Sequence, residues 1–224
     1  RQTRLRKRGY AGQSRAHAFV TFATAPTFLR DLTTDDVVPA ELVYGIGVNH
    51  IMDWHNAWQP ALGALKAALH EQGVPKSEWP QTGHWNWAAK VVEDELLAFR
   101  TFSITAEGMT QALMRVDLTK TARLEGVSGK PLVYVDYLEV APWDQSFAGT
   151  QKKYRGAGPI LLAAAVELSF EEGFKGRIGL HSLPQAEPYY EKEGMIDLGP
   201  DAQVQNLRYY EMTSDVAQTL LAQE

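Results

Sequence analysis

The feature that most constrains this chain is a change of hydrophobic period partway along it. Over residues 110–118, Ala112, Met114, Val116 and Leu118 alternate with Gln111, Arg115 and Asp117, the period of two of a strand with one buried face. Over residues 158–172, Leu161, Leu162, Ala165, Val166 and Leu168 give a helix an apolar face, and Gly173 sits where a C-terminal cap belongs. The neighbouring segments follow from these two. Residues 97–105 read as a strand that turns at Glu107-Gly108, and residues 131–140 as a third strand closed by Pro142. Beyond the helix come a short strand over 177–183, a short helix from Pro184 to Glu193 capped by Gly194, strands within 195–198 and 204–212, and a helical turn after Ser214. Antiparallel strands followed by strand–helix–strand–helix–strand predict an α+β (mixed α/β) fold with a mostly antiparallel central sheet and flanking helices.

Upstream the pattern is weaker. Residues 16–25 are apolar enough for a strand or a helix, but Pro26, Asp31 and the run Thr33-Thr34-Asp35-Asp36 break the pattern. Residues 41–48 read as a short strand. From 49 to 72, Ile51, Trp54, Trp58, Leu62, Leu65 and Leu69 share one helical face, which Pro60 is expected to split. A further helix is predicted over 85–96, with Trp87, Val91, Val92 and Leu96 inward. We place the domain boundary at 39/40, with residues 1–39 as a basic extension and 40–224 as one domain.

Charge is unevenly spread. Residues 1–15 carry six basic side chains and no acid, leaving 16 basic against 27 acidic residues elsewhere, a body charge of −11. Such a body disfavours broad nucleic-acid binding, and the arm reads as a solvated tail folding back on it. The chain has no cysteine, which excludes disulfides, thiolate zinc sites and a cysteine nucleophile; it fits a reducing, cytoplasmic setting. No apolar run approaches the roughly 18 residues of a membrane span. His50 and His55 lack the spacing of a helical zinc site, so no metal is expected. The segment around Gly129-Lys130 resembles a P-loop only briefly, since Leu124 and Pro131 stand where that motif needs glycine and Ser or Thr.

The segment with chemistry in it is Leu138-Glu139-Val140-Ala141-Pro142, a loop, and then Lys153-Tyr154-Arg155-Gly156-Ala157-Gly158-Pro159. The first amides of a helix have no internal partners and attract anions. Gly156 and Gly158 let a diphosphate approach the backbone, Pro159 costs nothing at an early helical position, and Lys152, Lys153 and Arg155 add positive charge. With these residues the chain resembles the GNAT N-acetyltransferase superfamily over about residues 97–212. Lys153-x-x-Gly156-x-Gly158 is similar to its phosphate-binding signature, with lysine at the first place. Leu138-x-Val140-x-Pro142 matches the strand before it, and Ala186-Glu187-Pro188-Tyr189-Tyr190-Glu191-Lys192-Glu193-Gly194-Met195 the downstream helix. Two departures stand out: the loop 143–152 is longer than the family's, and Leu183 replaces an asparagine.

The resemblance implies a GNAT-like fold with a splayed parallel strand pair, and acetyl-CoA as cofactor. Leu138, Glu139 and Val140 would face the pantetheine, and Lys153, Tyr154, Arg155, Gly156, Ala157 and Gly158 the pyrophosphate. Tyr190 looks like the family tyrosine that protonates the leaving thiolate. For the base that relieves the amine of its proton, Glu139 and Asp136 are candidates on opposite faces by strand parity, Glu139 slightly preferred, with His181 third. Trp54, Trp58, Trp85 and Trp87 line either the core or an acceptor pocket. The reading is an N-acyltransferase acting on a small-molecule or protein amine by direct attack; the alternative is a non-catalytic module of this kind that binds CoA or a partner. The acceptor stays open, and a homodimer is compatible with the sequence.

Overall fold

The computed structural model describes residues 22–92, 98–145 and 151–222. The basic arm over 1–15, the end of the helix expected to reach 96, and part of the long loop lie outside the described residues. Nine strands form one sheet in the order β6-β1-β2-β3-β4-β5-β7-β9-β8. The strands are β1 (Thr24–Asp31), β2 (Val37–Val43), β3 (Phe99–Ala106), β4 (Met109–Asp117), β5 (Val133–Val140), β6 (Tyr154–Arg155), β7 (Ile178–Ser182), β8 (Ile196–Asp201) and β9 (Leu207–Met212). Every pairing is antiparallel except β5 with β7. The mixed α+β architecture is the one expected.

β1 lies inside the stretch read as an extension and β2 crosses its end, so the sheet begins well before the 39/40 boundary. Proline hid them. Pro26 pairs with Glu41 and Pro39 with Phe28, yet β6 reaches β1 only at Arg30 and Asp31, and β3 reaches β2 only from Ala40 onward. Each proline therefore stands where its strand has a free edge, and its missing N–H breaks no ladder. The strand expected over 41–48 is correspondingly displaced, and Val48 opens a helix instead.

That helix runs through Pro60 rather than breaking there. It comprises α1 (Val48–Asp53), a π-helical stretch Trp54–Trp58 and α2 (Gln59–Glu71). The wider turn just before Pro60 accommodates a residue that cannot donate to the preceding turn. Trp54 and Trp58 are buried, and the Trp58 indole N–H donates to the Thr110 carbonyl at 2.9 Å. Asp53 accepts from the Thr110 N–H at 2.9 Å and its hydroxyl at 2.6 Å, so the helix locks the start of β4. α3 (Trp87–Val92) buries Trp87 and packs Val91 against the same cluster, whereas Val92 is exposed, against expectation.

The sheet separates two apolar clusters. On one face α4 (Ala157–Glu171), Tyr190 of α5 (Glu187–Lys192) and Ala217 of α6 (Ser214–Leu221) pack with Met114, Val116, Val135 and Leu180. On the other, Trp54, Trp58 and Trp87 surround Leu113 and Ala141. α4 is buried on nearly every side, and its alanines allow close approach to the sheet. It ends at Glu172 and Gly173, whose φ of 76° marks the left-handed cap expected from the sequence. Trp58→Ala should cost about 3–5 kcal/mol, read as a lower urea midpoint.

Candidate functional site

The site is where β5 and β7 part. They pair in parallel only at Val133–Ile178, Tyr134–Gly179 and Val135–Leu180. Immediately afterwards β5 carries a bulge: Arg115 faces Tyr137 and Val116 faces Val135, leaving Asp136 as an extra residue. A bulge bends its strand and increases the local twist, which turns the end of β5 away from β7. The next residues still pair with β4, but among the described residues no strand pairs with their other edge, and this opening is the candidate cleft.

The hydrogen-bond phase decides which backbone groups open into it. Ala141 N–H donates to the Gln111 carbonyl at 2.8 Å, so Ala112 and Val140 form a non-hydrogen-bonded pair whose polar groups point outward. Leu138 has the same phase. The Val140 carbonyl accepts the Gln145 side-chain amide at 2.9 Å, which shows it available to an amide donor. Leu138 and Val140 side chains pack toward the α4 core.

The bulge also reverses a parity argument. Asp136 and Glu139 were expected on opposite faces, but the extra residue brings both to the side of α3. Asp136 takes a forked ion pair from Arg115, with Nε at 3.0 Å and Nη2 closer, and Arg115 also donates to the Lys90 carbonyl of α3. Glu139 accepts the Trp87 indole N–H of α3 at 2.6 Å and is 5% exposed. Burial pushes its carboxyl up to about 7, with Thr82, Trp87, Lys90 and Lys66, in that order, opposing the shift. His181 is engaged at both nitrogens, with the Tyr134 hydroxyl at 2.7 Å and Asp201 at 3.1 Å, and burial lowers its pKa. On this face a cavity of about 540 Å³ is lined by Tyr134, Asp136, His181, Arg123 and Tyr209, among others.

On the opposite face, α4 begins beside the cleft. Its N-cap, Gly156, has φ 118°, and among the described residues no side chain caps that end. A Cβ on Gly156 would stand 3.4 Å from Leu29 Cδ2, so this glycine serves left-handed backbone and contact with β1 as well as any ligand. A Cβ on Gly158 would stand 3.7 Å from the Tyr189 hydroxyl. That hydroxyl is buried and has no hydrogen-bond partner among the described residues; the sequence reading passed over it in favour of its neighbour. Tyr190 is buried between Tyr189 and Tyr210, and burial pushes its phenol up to about 12.

Not every residue of the glycine segment is free to bind. Tyr154 is 2% exposed and pairs with Asp31 of β1, and its N–H donates to Asp144 at 2.7 Å. Its hydroxyl and Lys153 Nζ both meet Glu107, at 2.5 and 3.1 Å. Ala157 is buried as well, so its side chain is core. Arg155 is exposed, while the amides of Ala157 and Gly158 open the helix. Asp144 is a second residue the sequence did not single out. It ties the loop's start to its end, its other oxygen is buried without a partner among the described residues, and burial pushes it up to about 6. The only sequence signal for it was its place after Pro142.

The far side of the cleft is strapped. The Gln185 side chain, at the start of α5, donates to the carbonyls of Glu78 and Trp79 at 3.3 and 2.8 Å, and Gln185 and Gln81 exchange backbone-to-side-chain bonds at 3.3 Å. The α2–α3 connection is thereby tied to the end of β7. Among the described residues no group of three or more His, Asp or Glu gathers as a metal site, and no helix is long and apolar enough to cross a membrane.

No protein-family model and no curated protein matches the chain. Solved structures do. The chain is similar to RimJ of Mycobacterium smegmatis, determined in complex with CoA-disulfide, at 14% identity and TM-score 0.46 over 90% of this chain and 94% of that one. It is similar to a GNAT-family acetyltransferase of Listeria monocytogenes at 13% identity and TM-score 0.43, over 78% and 95%. It is also similar to the PaiA N-acetyltransferase of Thermoplasma acidophilum, in complex with coenzyme A, at 12% identity and TM-score 0.47, over 78% and 98%. Each of these TM-scores lies below 0.5, so the likeness assigns this chain neither a family nor a role.

Proposed function

We propose that the chain is an acyl-CoA-dependent N-acyltransferase that moves an acetyl or other short acyl group to a primary amine by direct attack in a ternary complex. The observation that carries this reading is the cleft itself, where outward backbone groups of Leu138 and Val140 meet the uncapped start of α4. The amides of Ala157 and Gly158, at the positive end of the helix, suit a diphosphate, with Arg155 nearby. The orphan Tyr189 hydroxyl beside Gly158 supplies a further donor. Leu138 and Val140 can hold an amide-bearing arm, as the Gln145 contact illustrates. CoA, when bound, supplies the activated thioester.

The chemistry asked of the protein is modest. Glu139, near neutral in pKa and on the α3 face, takes the proton from the attacking amine. The amine nitrogen bonds to the acyl carbon, the carbon–sulfur bond breaks, and the Tyr190 phenol, kept protonated by burial, returns a proton to the thiolate. The remainder of the acceptor fits the cavity under the bulge. Positioning the two reactants supplies much of the rate.

Acetyl-CoA should raise the melting temperature of the native chain. Gly158→Glu should abolish that rise without loss of fold, because a carboxylate favours a helix start but repels a diphosphate. With an amine acceptor, kcat/KM should climb with pH through about 7. Glu139→Gln should remove that limb and lower the rate about a hundredfold to ten-thousandfold. Tyr190→Phe should lower kcat and leave the acetyl-CoA melting shift in place. The folded Glu139 carboxyl lies above its ordinary value of 4.5, so it favours the fold fully at low pH and loses that contribution as pH rises through about 7. Glu139→Gln should therefore melt higher than the native chain at about pH 8.5 and show no gain at about pH 4.5, a scan that separates a lost base from a damaged fold.

A further inference from the structure

The acceptor face already holds an alkyl ammonium group. Lys90 lies one helical turn after Trp87 on α3, so the two side chains share a face of that helix. Trp87 ends on the Glu139 carboxylate at 2.6 Å. Lys90 ends over the ring of Tyr137, its Nζ 3.0 Å from the ring centroid and 5.5 Å from that of Trp85. Trp85 and Tyr137 meet edge to face at 5.0 Å. Tyr137 is the first residue after the bulge, within the stretch where β5 has left β7 and two residues before Glu139. A primary amine on a flexible four-carbon stem is thus held by aromatic rings at the parting of the strands, beside the buried carboxylate.

We propose that Lys90 is acylated by the protein's own active site, in cis. The inference rests on the acyltransferase reading above. The step balances as that reaction does. Glu139 accepts a proton from the Lys90 ammonium, the neutral Nζ bonds to the acyl carbon of acetyl-CoA, and the carbon–sulfur bond breaks. CoA leaves as the thiol, with its proton from Tyr190, and the second Nζ proton, lost as the amide forms, restores the Tyr190 phenol. The product is an amide without charge, so the cation–π contact with Tyr137 and Trp85 is lost. Modification exchanges a cation for a neutral group at the wall of the acceptor site and alters which acceptors that wall favours.

The test is peptide mass spectrometry of the full chain incubated with acetyl-CoA alone at several protein concentrations. The expected result is one acetyl group on Lys90, formed at a first-order rate independent of protein concentration. It should be slowed about a hundredfold or more in Glu139→Gln, and absent from Lys90→Arg while the acetyl-CoA melting shift persists. A melting shift with Lys90 unmodified would overturn the proposal and leave the cofactor reading standing. So would equal labelling of the exposed Lys175 and Lys192 that Glu139→Gln does not slow, since that is uncatalysed chemistry. A rate that grows with protein concentration would overturn acylation in cis. No melting shift with acetyl-CoA would remove the acyltransferase reading, and this proposal with it.

Discussion

The separation of β5 from β7 after Val135 and Leu180 governs the rest of the structure. A parallel pair inside a sheet normally continues until both strands end, because unpaired buried N–H and C=O groups are costly. Here a single extra residue, Asp136, sets the change. The bulge bends β5, and β4 keeps hold of one edge while the other is released. Everything distinctive about the site follows from that release. Leu138 and Val140 present backbone groups to a cleft, Glu139 turns toward α3, and α4 can begin beside the gap rather than over a closed sheet.

The two faces of the sheet then take different tasks. The α4 side carries the features the proposed anion site would use: a helix start that no described side chain caps, a glycine at φ 118°, and a chain entry fixed in direction. Asp144 and the short pairing of β6 with β1 fix that entry, since Asp144 holds the Tyr154 N–H and Arg30 stands opposite Arg155. Tyr154 therefore anchors the start of the helix through its buried ring, its N–H and its hydroxyl. On the α3 side the surroundings are aromatic and dry. A carboxylate placed there loses hydration, and its pKa rises toward neutrality without a like charge having to be placed beside it.

Much of this was legible in the residues, and the gaps have physical causes. The alternation of Ala112, Met114 and Val116 and the apolar face of 158–172 announced β4 and α4, because periodicity is local and both elements are long enough to show it. β1 and β2 escaped because Pro26 and Pro39 look like breakers unless it is known which strand edges are free, and that depends on partners distant in sequence. The helix through Pro60 escaped for a similar reason, since a π-helical stretch leaves no composition signal. The motif 153–158 marks the turn into α4 but leaves its side-chain partners unread. Nothing local in it says that Tyr154 is core or that Lys153 meets Glu107.

The parity error at Asp136 is the most instructive, because it separates three acid–base candidates that look alike in sequence. Counting by twos from Leu138 put Asp136 and Glu139 on opposite faces, and one unpaired residue cancels that count. Once both face α3, environment decides between them. Asp136 is engaged by Arg115 through both Nε and Nη2, so its carboxylate is already committed to an ion pair. His181 has both nitrogens committed, one to Tyr134 and one to Asp201, and lacks a free lone pair for an incoming proton unless that chain breaks. Glu139 alone of the three combines deep burial with no arginine partner, and the Trp87 indole donates to it. A base needs a proton affinity near that of its surroundings' pH, and desolvation without a counter-cation in direct contact is the simplest way to give a carboxylate one.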